Sequence, residues 1–298
     1  MTRRALFVFN WCDFTQKKLA FILKVSTRYD ELIFLIDKAD DLSFSGDILV
    51  QLNTIFSAKI KIRYYLLLAP RKGLSKISHW LRWRILCPTF ECIYIDNLSD
   101  QEKMKSILRV RVEVFVECEN NTLLFPIEKK IRGLFITRAQ PFHLGHAAIL
   151  EQMKKEVEEV IIIIAMANLS HTKCNIATAG ERLTMLLPYL DDTMPNRYYL
   201  IALPYSDFTM ENFYELEYLL PRFDYVYTNN PKVEVLAQTA GYQVKTCQVS
   251  LSISGSLIRE CILNDTPYRH LLPESVYQLI AKSQIPERLK KINHLEVR

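Results

Sequence analysis

The sequence predicts two tandem α/β domains, each built on a doubly wound parallel sheet. Three observations predict this fold class: a length of 298 residues, an alternation of strand-like and helical stretches, and a pattern that occurs twice along the chain. Because helices cover both faces of such a sheet, its strands are short and almost wholly apolar. The apolar content of 49% is sufficient to form a buried core in each domain.

The first part of the chain resembles the second. Three pairs of blocks match in the same order: residues 4–36 with 132–164, residues 63–66 with 197–200, and residues 88–94 with 221–227. Their offsets of 128, 134 and 133 are nearly equal, which three chance matches would rarely produce. We therefore interpret the chain as one fold that occurs twice.

The elements of the second copy follow in regular alternation. The predicted strands are residues 134–137, 160–165, 198–203, 225–228 and 243–246. The predicted helices are residues 145–156, 179–190, 211–220 and 233–239, and Thr178 with Glu181 fits a capping box at the start of the second of these. In the first copy the last strand-like piece is residues 112–116, and a polar stretch follows it. We therefore predict domains at residues 1–120 and 121–298.

Composition argues against several classes of protein. The longest apolar run, Val160 to Ala167, is far shorter than the roughly 20 residues that span a bilayer. Residues 1–4 lead into a strand-like segment rather than a signal-peptide core. Seven cysteines lack zinc-ligand spacing, so we expect reduced thiols. These features predict a cytoplasmic protein without a membrane partner.

The positive charge lies in the first copy. Residues 1–130 carry 21 basic and 15 acidic side chains, whereas the remainder carries 17 and 18. Basic and aromatic residues interleave in residues 71–84, as they can on a nucleic-acid-binding surface. Apolar residues at helical spacing, Ile77, Trp80, Leu81 and Ile85, favour a packed amphipathic helix instead. We therefore do not expect a nucleic-acid partner.

Residues 138–146, Arg-Ala-Gln-Pro-Phe-His-Leu-Gly-His, join a predicted strand to a predicted helix. Parallel sheets bind ligands beyond the carboxyl ends of their strands, and a helix N-terminus offers free N–H groups to phosphate. His143 and His146 lie about one helical turn apart, and Gly145 lets the backbone approach a ligand closely. A structural histidine pair is the alternative, but the position at a strand-to-helix turn favours a phosphate site.

A second motif lies at residues 253–259, Ile-Ser-Gly-Ser-Leu-Ile-Arg. Ser254 is a suitable N-cap, Ser256 falls in the first turn, and Arg259 lies about one turn further on the same helix. Hydroxyls, free N–H groups and a guanidinium can together surround a polyphosphate. Alone, the segment could be a capped helix with a surface arginine. Together with the histidine motif, it predicts a nucleotide site.

The two copies differ at these motifs. At the positions of His143, Gly145 and His146, the first copy has Thr15, Lys17 and Lys18. At the positions of Arg138 and Gln140, it has Asn10 and Cys12. The first copy also has no counterpart of residues 250–285. We interpret it as a degenerate domain that kept its core, lost its site and serves packing, oligomerisation or regulation.

Residues 132–293 resemble the archaeal-type nicotinamide-mononucleotide adenylyltransferases of the HxGH nucleotidylyltransferase superfamily. The resemblance rests on blocks at residues 132–135, 138–146, 169–172, 178–182, 197–199, 253–259 and 271–276. It implies a Rossmann-like fold and transfer of AMP from ATP to nicotinamide mononucleotide, which yields NAD and pyrophosphate. It also implies Mg²⁺ as the cofactor, bound through the substrate phosphates rather than by the protein.

The resemblance implies roles for individual residues. The catalytic candidates are His143 and His146 on the ATP phosphates, Arg138 at the reacting centre and Arg259 on the β and γ phosphates. The other candidates for binding ATP or phosphate are Gly145, Ser254, Gly255, Ser256, Thr137 and Gln140. The candidates for binding the mononucleotide are His171, Asn212, Phe213 and Tyr214.

The chain departs from the family's pattern at three places. Residues 207–214 lack the tryptophan that in the family stacks on or encloses the nicotinamide. Cys174 occupies an arginine position, and Ser250 or Ser252 a basic one. Because of these departures, nicotinate mononucleotide and other phosphorylated compounds remain alternative acceptors. A non-catalytic nucleotide sensor or interaction protein is the alternative from another class, and homo-oligomer formation also stays open.

Overall fold

The structure, a computed structural model, describes residues 2–9, 14–38, 46–70, 76–95, 101–115, 129–204, 208–247 and 253–296. Its backbone divides into two compact units, Met1–Lys129 with Leu216–Arg222, and Lys130–Glu215 with Phe223–Arg298. The predicted domain boundary between residues 120 and 121 lies outside the described residues. A boundary at that point therefore stays a prediction.

The first unit contains a parallel five-stranded sheet. Its strands are β1 (Arg4–Phe9), β2 (Glu31–Lys38), β3 (Arg63–Pro70), β4 (Cys92–Ile95) and β5 (Arg111–Val114). Its helices are α1 (Gln16–Ser26), α2 (Gly46–Lys59), α3 (Lys76–Leu86) and α4 (Gln101–Leu108). The strand order is β3-β2-β1-β4-β5, and every pair is parallel.

The second unit contains a sheet of the same kind. Its strands are β6 (Arg132–Thr137), β7 (Glu159–Ile164), β8 (Tyr198–Ala202), β9 (Tyr225–Tyr227) and β10 (Gln243–Lys245). Its helices are α5 (Leu144–Glu156), α6 (Ala179–Thr193), α7 (Met210–Leu219), α8 (Pro231–Thr239), α9 (Gly255–Leu263), α10 (Glu274–Ala281) and α11 (Ile285–Glu296). The order β8-β7-β6-β9-β10 repeats that of the first sheet strand for strand, with every pair parallel. The predicted fold class is confirmed.

Local sequence explains where these elements form. All six residues of β7 are buried, and its four isoleucines are β-branched side chains that suit a strand covered on both faces. Before α6, the Glu181 N–H donates to Thr178 Oγ1 at 3.1 Å, and the Thr178 N–H donates to Glu181 Oε2 at 2.8 Å. This capping box agrees with the interpretation of the sequence.

Two helices extend beyond the predicted bounds by two residues or more. Helix α8 begins two residues early because Asn230 accepts from the Lys232 N–H as N-cap and Pro231 supplies a preformed first helical residue. Helix α6 runs on to Thr193 with Pro188 inside it. Packing of its buried leucine face outweighs the loss of one backbone donor at the proline.

The basic and aromatic segment forms a packed helix, α3, and its inner face agrees with the predicted one at Trp80 but not at Leu81. Residues 71–75 lie outside the described residues. Trp80 and Trp83 are buried, whereas Leu81 is 48% exposed. The helix turns its two indoles inward because they bury more apolar surface than a leucine. None of the helices in the described ranges is both long and apolar enough to cross a bilayer.

Candidate active site

A pocket of about 570 Å³ opens beyond the carboxyl ends of β6, β7 and β9. This volume lies within the range of small-molecule sites, and the position is where a doubly wound sheet binds its ligands. Nine of the predicted site residues line it: Thr137, Arg138, Gln140, His143, His146, Ser254, Gly255, Ser256 and Arg259. The fold therefore brings the two sequence motifs to one place.

The two motif histidines stack on each other at the start of α5. His143 occupies the N-cap and His146 the third helical position, with ring centroids 3.7 Å apart and planes inclined by 28°. A Cβ on Gly145 would lie 3.0 Å from the His143 ring. Gly145 therefore leaves room for the His143 ring, and it does not line the pocket as the sequence suggested.

The hydrogen bonds of His146 define its protonation. Its Nδ1 accepts from the His143 N–H at 3.2 Å, so in the neutral ring the proton is assigned to Nε2. Nε2 then donates to Thr137 Oγ1 at 2.9 Å, and the same oxygen accepts from the Ala139 N–H at 3.1 Å. The buried Nδ1 of His143 has no partner within the described residues.

Both rings are neutral near pH 7. Burial lowers the pKa of His143 to about 4. Burial, and then the neighbouring His143, lower the pKa of His146 well below its ordinary value. Two charged rings at stacking distance would also repel each other. The pair therefore offers hydrogen-bond donors to an anion rather than fixed charge.

Arg259 joins the second motif to the first. Its Nη1 donates to the Gln140 carbonyl at 2.7 Å, and its Nη2 donates to Ser256 Oγ at 3.0 Å. A Cβ on Gly255 would lie 2.7 Å from the same carbonyl, so only glycine lets α9 approach the histidine loop this closely. Ser254 caps α9 by accepting from the Leu257 N–H at 3.1 Å. Burial lowers the pKa of Arg259, and the charge of Arg138 adds to this effect.

The side chain of Gln140 has a structural role instead of the predicted phosphate contact. Its Nε2 donates to the Ala177 carbonyl at 2.9 Å, and its Oε1 accepts from the Ala177 N–H at 3.0 Å. Because both ends of the buried amide are engaged, it ties the histidine loop to the segment before α6.

None of the four mononucleotide candidates lines the pocket. Phe213 is fully buried and packs against Tyr242 at 5.9 Å between ring centroids, so that prediction is corrected to a core role. Thr209 caps α7 by accepting from the Asn212 N–H at 3.3 Å, and the Asn212 side chain accepts from the Thr209 hydroxyl at 3.1 Å. Tyr214 is exposed, and His171 Nδ1 pairs with Ser170 Oγ at 2.9 Å. Three consecutive helical residues point in different directions and cannot share one pocket.

Phe208, Asn230 and Lys232 are among the pocket residues that the sequence did not predict, and their aromatic or polar side chains could contact a ligand. Phe208 lies just before α7, close to the aromatic residues that were chosen in its place. Asn230 caps α8 at the carboxyl end of β9, and Lys232 follows it. The sequence signal that could have identified Asn230 and Lys232 is an asparagine N-cap followed by a proline, directly after a buried strand.

Arg182 connects backbone segments that lie next to the pocket. It is fully buried, and its Nη1 donates to the carbonyls of Arg138 and Ala165, each at 2.8 Å. Its Nη2 donates to the Met166 carbonyl at 3.0 Å. The guanidinium thus joins the segments that follow β6 and β7. Burial lowers the pKa of Arg182 to about 10, with a further contribution from Arg138.

The pocket suits a polyanion. Arg138, Lys232 and Arg259 supply positive charge, and no carboxylate occurs among the described lining residues. The described residues also contain no group of three or more His, Cys, Asp or Glu that could hold a metal ion. Ser250 and Ser252, the expected replacements for a basic residue, lie outside the described ranges.

Comparison with known proteins places this pocket in a family. A cytidylyltransferase-like family profile matches residues 134–261, which include both motifs. The nicotinamide-nucleotide adenylyltransferase of Methanoculleus marisnigri is 36% identical over 163 residues, which cover 54% of this chain and 96% of that protein. The nicotinamide-nucleotide adenylyltransferase of Thermococcus sibiricus is 38% identical over 166 residues, 54% of this chain and 89% of that protein.

A solved bifunctional NMN adenylyltransferase/ADP ribose pyrophosphatase from Francisella tularensis is a more distant likeness. It is 14% identical with a TM-score of 0.49 over 57% of this chain and 55% of that chain. The relatives above match over nearly their whole length at more than a third identity. The chain therefore belongs to the nicotinamide-nucleotide adenylyltransferase family.

Proposed function

We propose that the second unit transfers AMP from ATP to nicotinamide mononucleotide and forms NAD and pyrophosphate. The observation that carries this proposal is the junction of the two motifs, where the Arg259 guanidinium donates to the Gln140 carbonyl beside the histidine pair. This junction lines a pocket in a member of the family, and the described side chains of that pocket include three cations and no carboxylate.

The pocket supports transfer by positioning and charge stabilisation. In-line attack of the mononucleotide phosphate on the α-phosphorus of ATP breaks the bond to pyrophosphate, so no protein nucleophile is required. Arg138 is exposed at the pocket and stands where it would neutralise charge on the reacting phosphates. Ser256 and Arg259, on the first turns of α9, would hold the β and γ phosphates.

The divalent cation, which we expect to be Mg²⁺, would enter bound to ATP, because the described pocket offers no carboxylate to hold it. Phe208 is the aromatic side chain that lines the described pocket, and it is our candidate for contact with a nucleobase or the nicotinamide ring. The cytoplasmic location, a homo-oligomer and the degenerate role of the first unit stay predictions.

One assay separates the acceptors. The purified chain is incubated with ATP, Mg²⁺ and either nicotinamide or nicotinate mononucleotide, and dinucleotide and pyrophosphate are measured together. We expect equal amounts of both products with nicotinamide mononucleotide. Faster synthesis with nicotinate mononucleotide would show that this compound is the preferred acceptor. ATP binding without any dinucleotide synthesis would instead support a nucleotide sensor. The Arg138→Gln variant, which removes a pocket charge, serves as the inactive control.

A further inference from the structure

The inference concerns Lys232 in the first turn of α8, and it rests on ATP binding in the proposed function. Three helices begin at the pocket: α5 and α9 start within the two sequence motifs, and α8 starts with Asn230 as its N-cap. The positive end of a helix dipole lies at each start, so the three fields add in the pocket. The start of α8 belongs to neither motif.

The backbone at the start of α8 offers few donors to a ligand. Pro231, the first helical residue, has no N–H, and the Lys232 N–H already donates to Asn230 Oδ1 at 3.0 Å. The exposed side chain of Lys232 lines the pocket. Its ammonium group has three N–H donors and a full positive charge, so it is the group through which this helix start can bind an anion.

The charge of Lys232 does not suit the dipole of α8. The first turn of a helix favours acidic side chains and disfavours basic ones, because its free N–H groups carry partial positive charge. Glu234 is the acidic residue of this turn, and it does not line the pocket. The position of Lys232 is therefore unfavourable for the helix dipole and becomes favourable when an anion occupies the pocket.

The sheet order places Lys232 on the same side of the pocket as α9. Helix α8 follows β9, which lies between β6 and β10, whereas β7 and β8 lie on the other side of β6. Helix α9 follows β10, and its first turns carry Ser256 and Arg259. The start of α8 is thus near the groups that hold the β and γ phosphates in the proposed function.

We propose that the Lys232 ammonium contacts the β and γ phosphates of ATP and neutralises charge on the pyrophosphate as it leaves. In the transfer, an oxygen of the mononucleotide phosphate bonds to the α-phosphorus, and the bond from that phosphorus to the bridging oxygen breaks. The bridging oxygen keeps the electron pair, so negative charge builds up on the pyrophosphate. Lys232 stays protonated and stabilises this charge without a proton transfer.

Titration calorimetry with ATP and Mg²⁺ tests the contact. Loss of one exposed ammonium contact predicts an affinity about 5- to 20-fold weaker for Lys232→Met, whereas Lys232→Arg keeps the charge and should bind within about threefold of wild type. Lys155→Met is the matched control, since Lys155 is exposed in the last turn of α5, at the far end of that helix from the pocket. A Lys232→Met variant that binds like wild type, or an equal loss in Lys155→Met, would overturn the proposal.

AMP identifies the phosphates that Lys232 contacts, because AMP lacks the β and γ groups. Lys232→Met should weaken AMP binding by less than about twofold, so nearly the whole loss appears in the ratio of ATP affinity to AMP affinity. Added salt should weaken ATP binding more in wild type than in Lys232→Met, because salt screens an exposed charge contact. An equal loss of affinity for ATP and AMP would place Lys232 at the adenosine or the α-phosphate and overturn the assignment.

Initial rates of the reverse reaction, from NAD and pyrophosphate, separate this contact from a structural role. Lys232→Met should raise the KM for pyrophosphate by a factor similar to its loss of ATP affinity, and leave the KM for NAD within about twofold of wild type. An equal rise in both KM values would indicate a distorted pocket and overturn the role. A chain that binds ATP through Lys232 but makes no dinucleotide would contradict only the transfer reaction, whereas wild type that binds no ATP would overturn both.

Discussion

Arg132 Nε lies 2.7 Å from Glu159 Oε2, and this ion pair joins the first residues of β6 and β7 in the interior of the second unit. The Tyr199 hydroxyl donates to the same oxygen at 3.1 Å from β8. Lys130 Nζ adds a contact of 2.8 Å to Glu159 Oε1. Charged groups therefore close the end of the sheet opposite the pocket.

The first unit contains the same arrangement. Arg4 Nε lies 2.5 Å from Glu31 Oε2, and the Tyr65 hydroxyl donates to that oxygen at 3.2 Å. Arg63 Nη1 lies 3.3 Å from Glu31 Oε1. The repeat aligns Arg4, Glu31 and Tyr65 with Arg132, Glu159 and Tyr199, which supports the proposal that one fold occurs twice. The additional cation differs, because Arg63 supplies it in the first unit and Lys130 in the second.

Glu159→Gln should destabilise the second unit by about 3 kcal/mol, because it removes the charge of a buried carboxylate that pairs with Arg132 and Lys130. Burial raises the pKa of Glu159, but the bonds from Lys130 and Arg132 outweigh it, and the pKa lies below its ordinary 4.5. The stabilisation is therefore present above pH 4.5 and is lost as the pH falls below it. Hydrogen exchange of β6 and β7 measures the effect, and Glu31→Gln is the control that should change β1 and β2 instead.

Lys18→Ala should leave turnover nearly unchanged. Lys18 holds the position of His146, while Thr15, at the position of His143, caps α1 by accepting from the Lys18 N–H at 3.2 Å. Because Lys18 is buried, Lys18→Met keeps the aliphatic stem and controls for lost packing. Dinucleotide synthesis by both variants is the measurement. A loss in both variants similar to that of His146→Ala would show that the first unit is not degenerate.

His146→Ala should lower turnover by about 10²-fold or more, as removal of one preorganised donor does in other enzymes. The substitution removes the donor to Thr137 Oγ1 and the acceptor for the His143 N–H. Initial rates at saturating ATP measure it, with His294→Ala on α11 as the control. An unchanged rate would show that His146 does not contribute to the reaction.

The His143 ring should titrate near pH 4 in the free protein, because burial disfavours its charged form. Its stabilising contribution is present above the ordinary pKa of 6.5 and is lost as the pH falls toward 4. Carbon-13 NMR of the ring measures the midpoint, and His143→Gln identifies the resonance. A midpoint near 6.5 would mean that the ring is solvated rather than packed on His146.

Arg182→Lys should destabilise the second unit by about 2–4 kcal/mol and weaken ATP binding, since it leaves buried carbonyls unpaired beneath the histidine loop. Arg197→Lys is a matched control, because the Arg197 guanidinium also donates to backbone carbonyls, those of Lys154, Val157 and Glu158, but is partly exposed. Hydrogen exchange of β6 and calorimetry with ATP measure both variants. Equal effects of the two substitutions on ATP affinity would contradict a special role for Arg182.

The alternation of strands and helices could be predicted because it depends on local hydrophobic periodicity. Isoleucine runs such as β7 fit a doubly covered sheet and few other structures. Helix ends were less certain, because Pro188 normally ends a helix and here only tertiary packing carries α6 past it. The wrong placement of Leu81 on the inner face of α3 has the same cause, since spacing alone does not decide which of several apolar side chains packs inward.

The sequence by itself determined the duplicated α/β pattern, the two motifs and the family resemblance, because each depends on residue type and spacing. Only the tertiary structure decided what individual side chains do. In the folded chain, Phe213 is buried, the Gln140 side chain hydrogen-bonds to Ala177, and Lys232 lines the pocket. The roles of Gly145 beside His143 and of Thr137 beneath His146 depend on distances of about 3 Å between side chains, and spacing along the chain does not fix such distances.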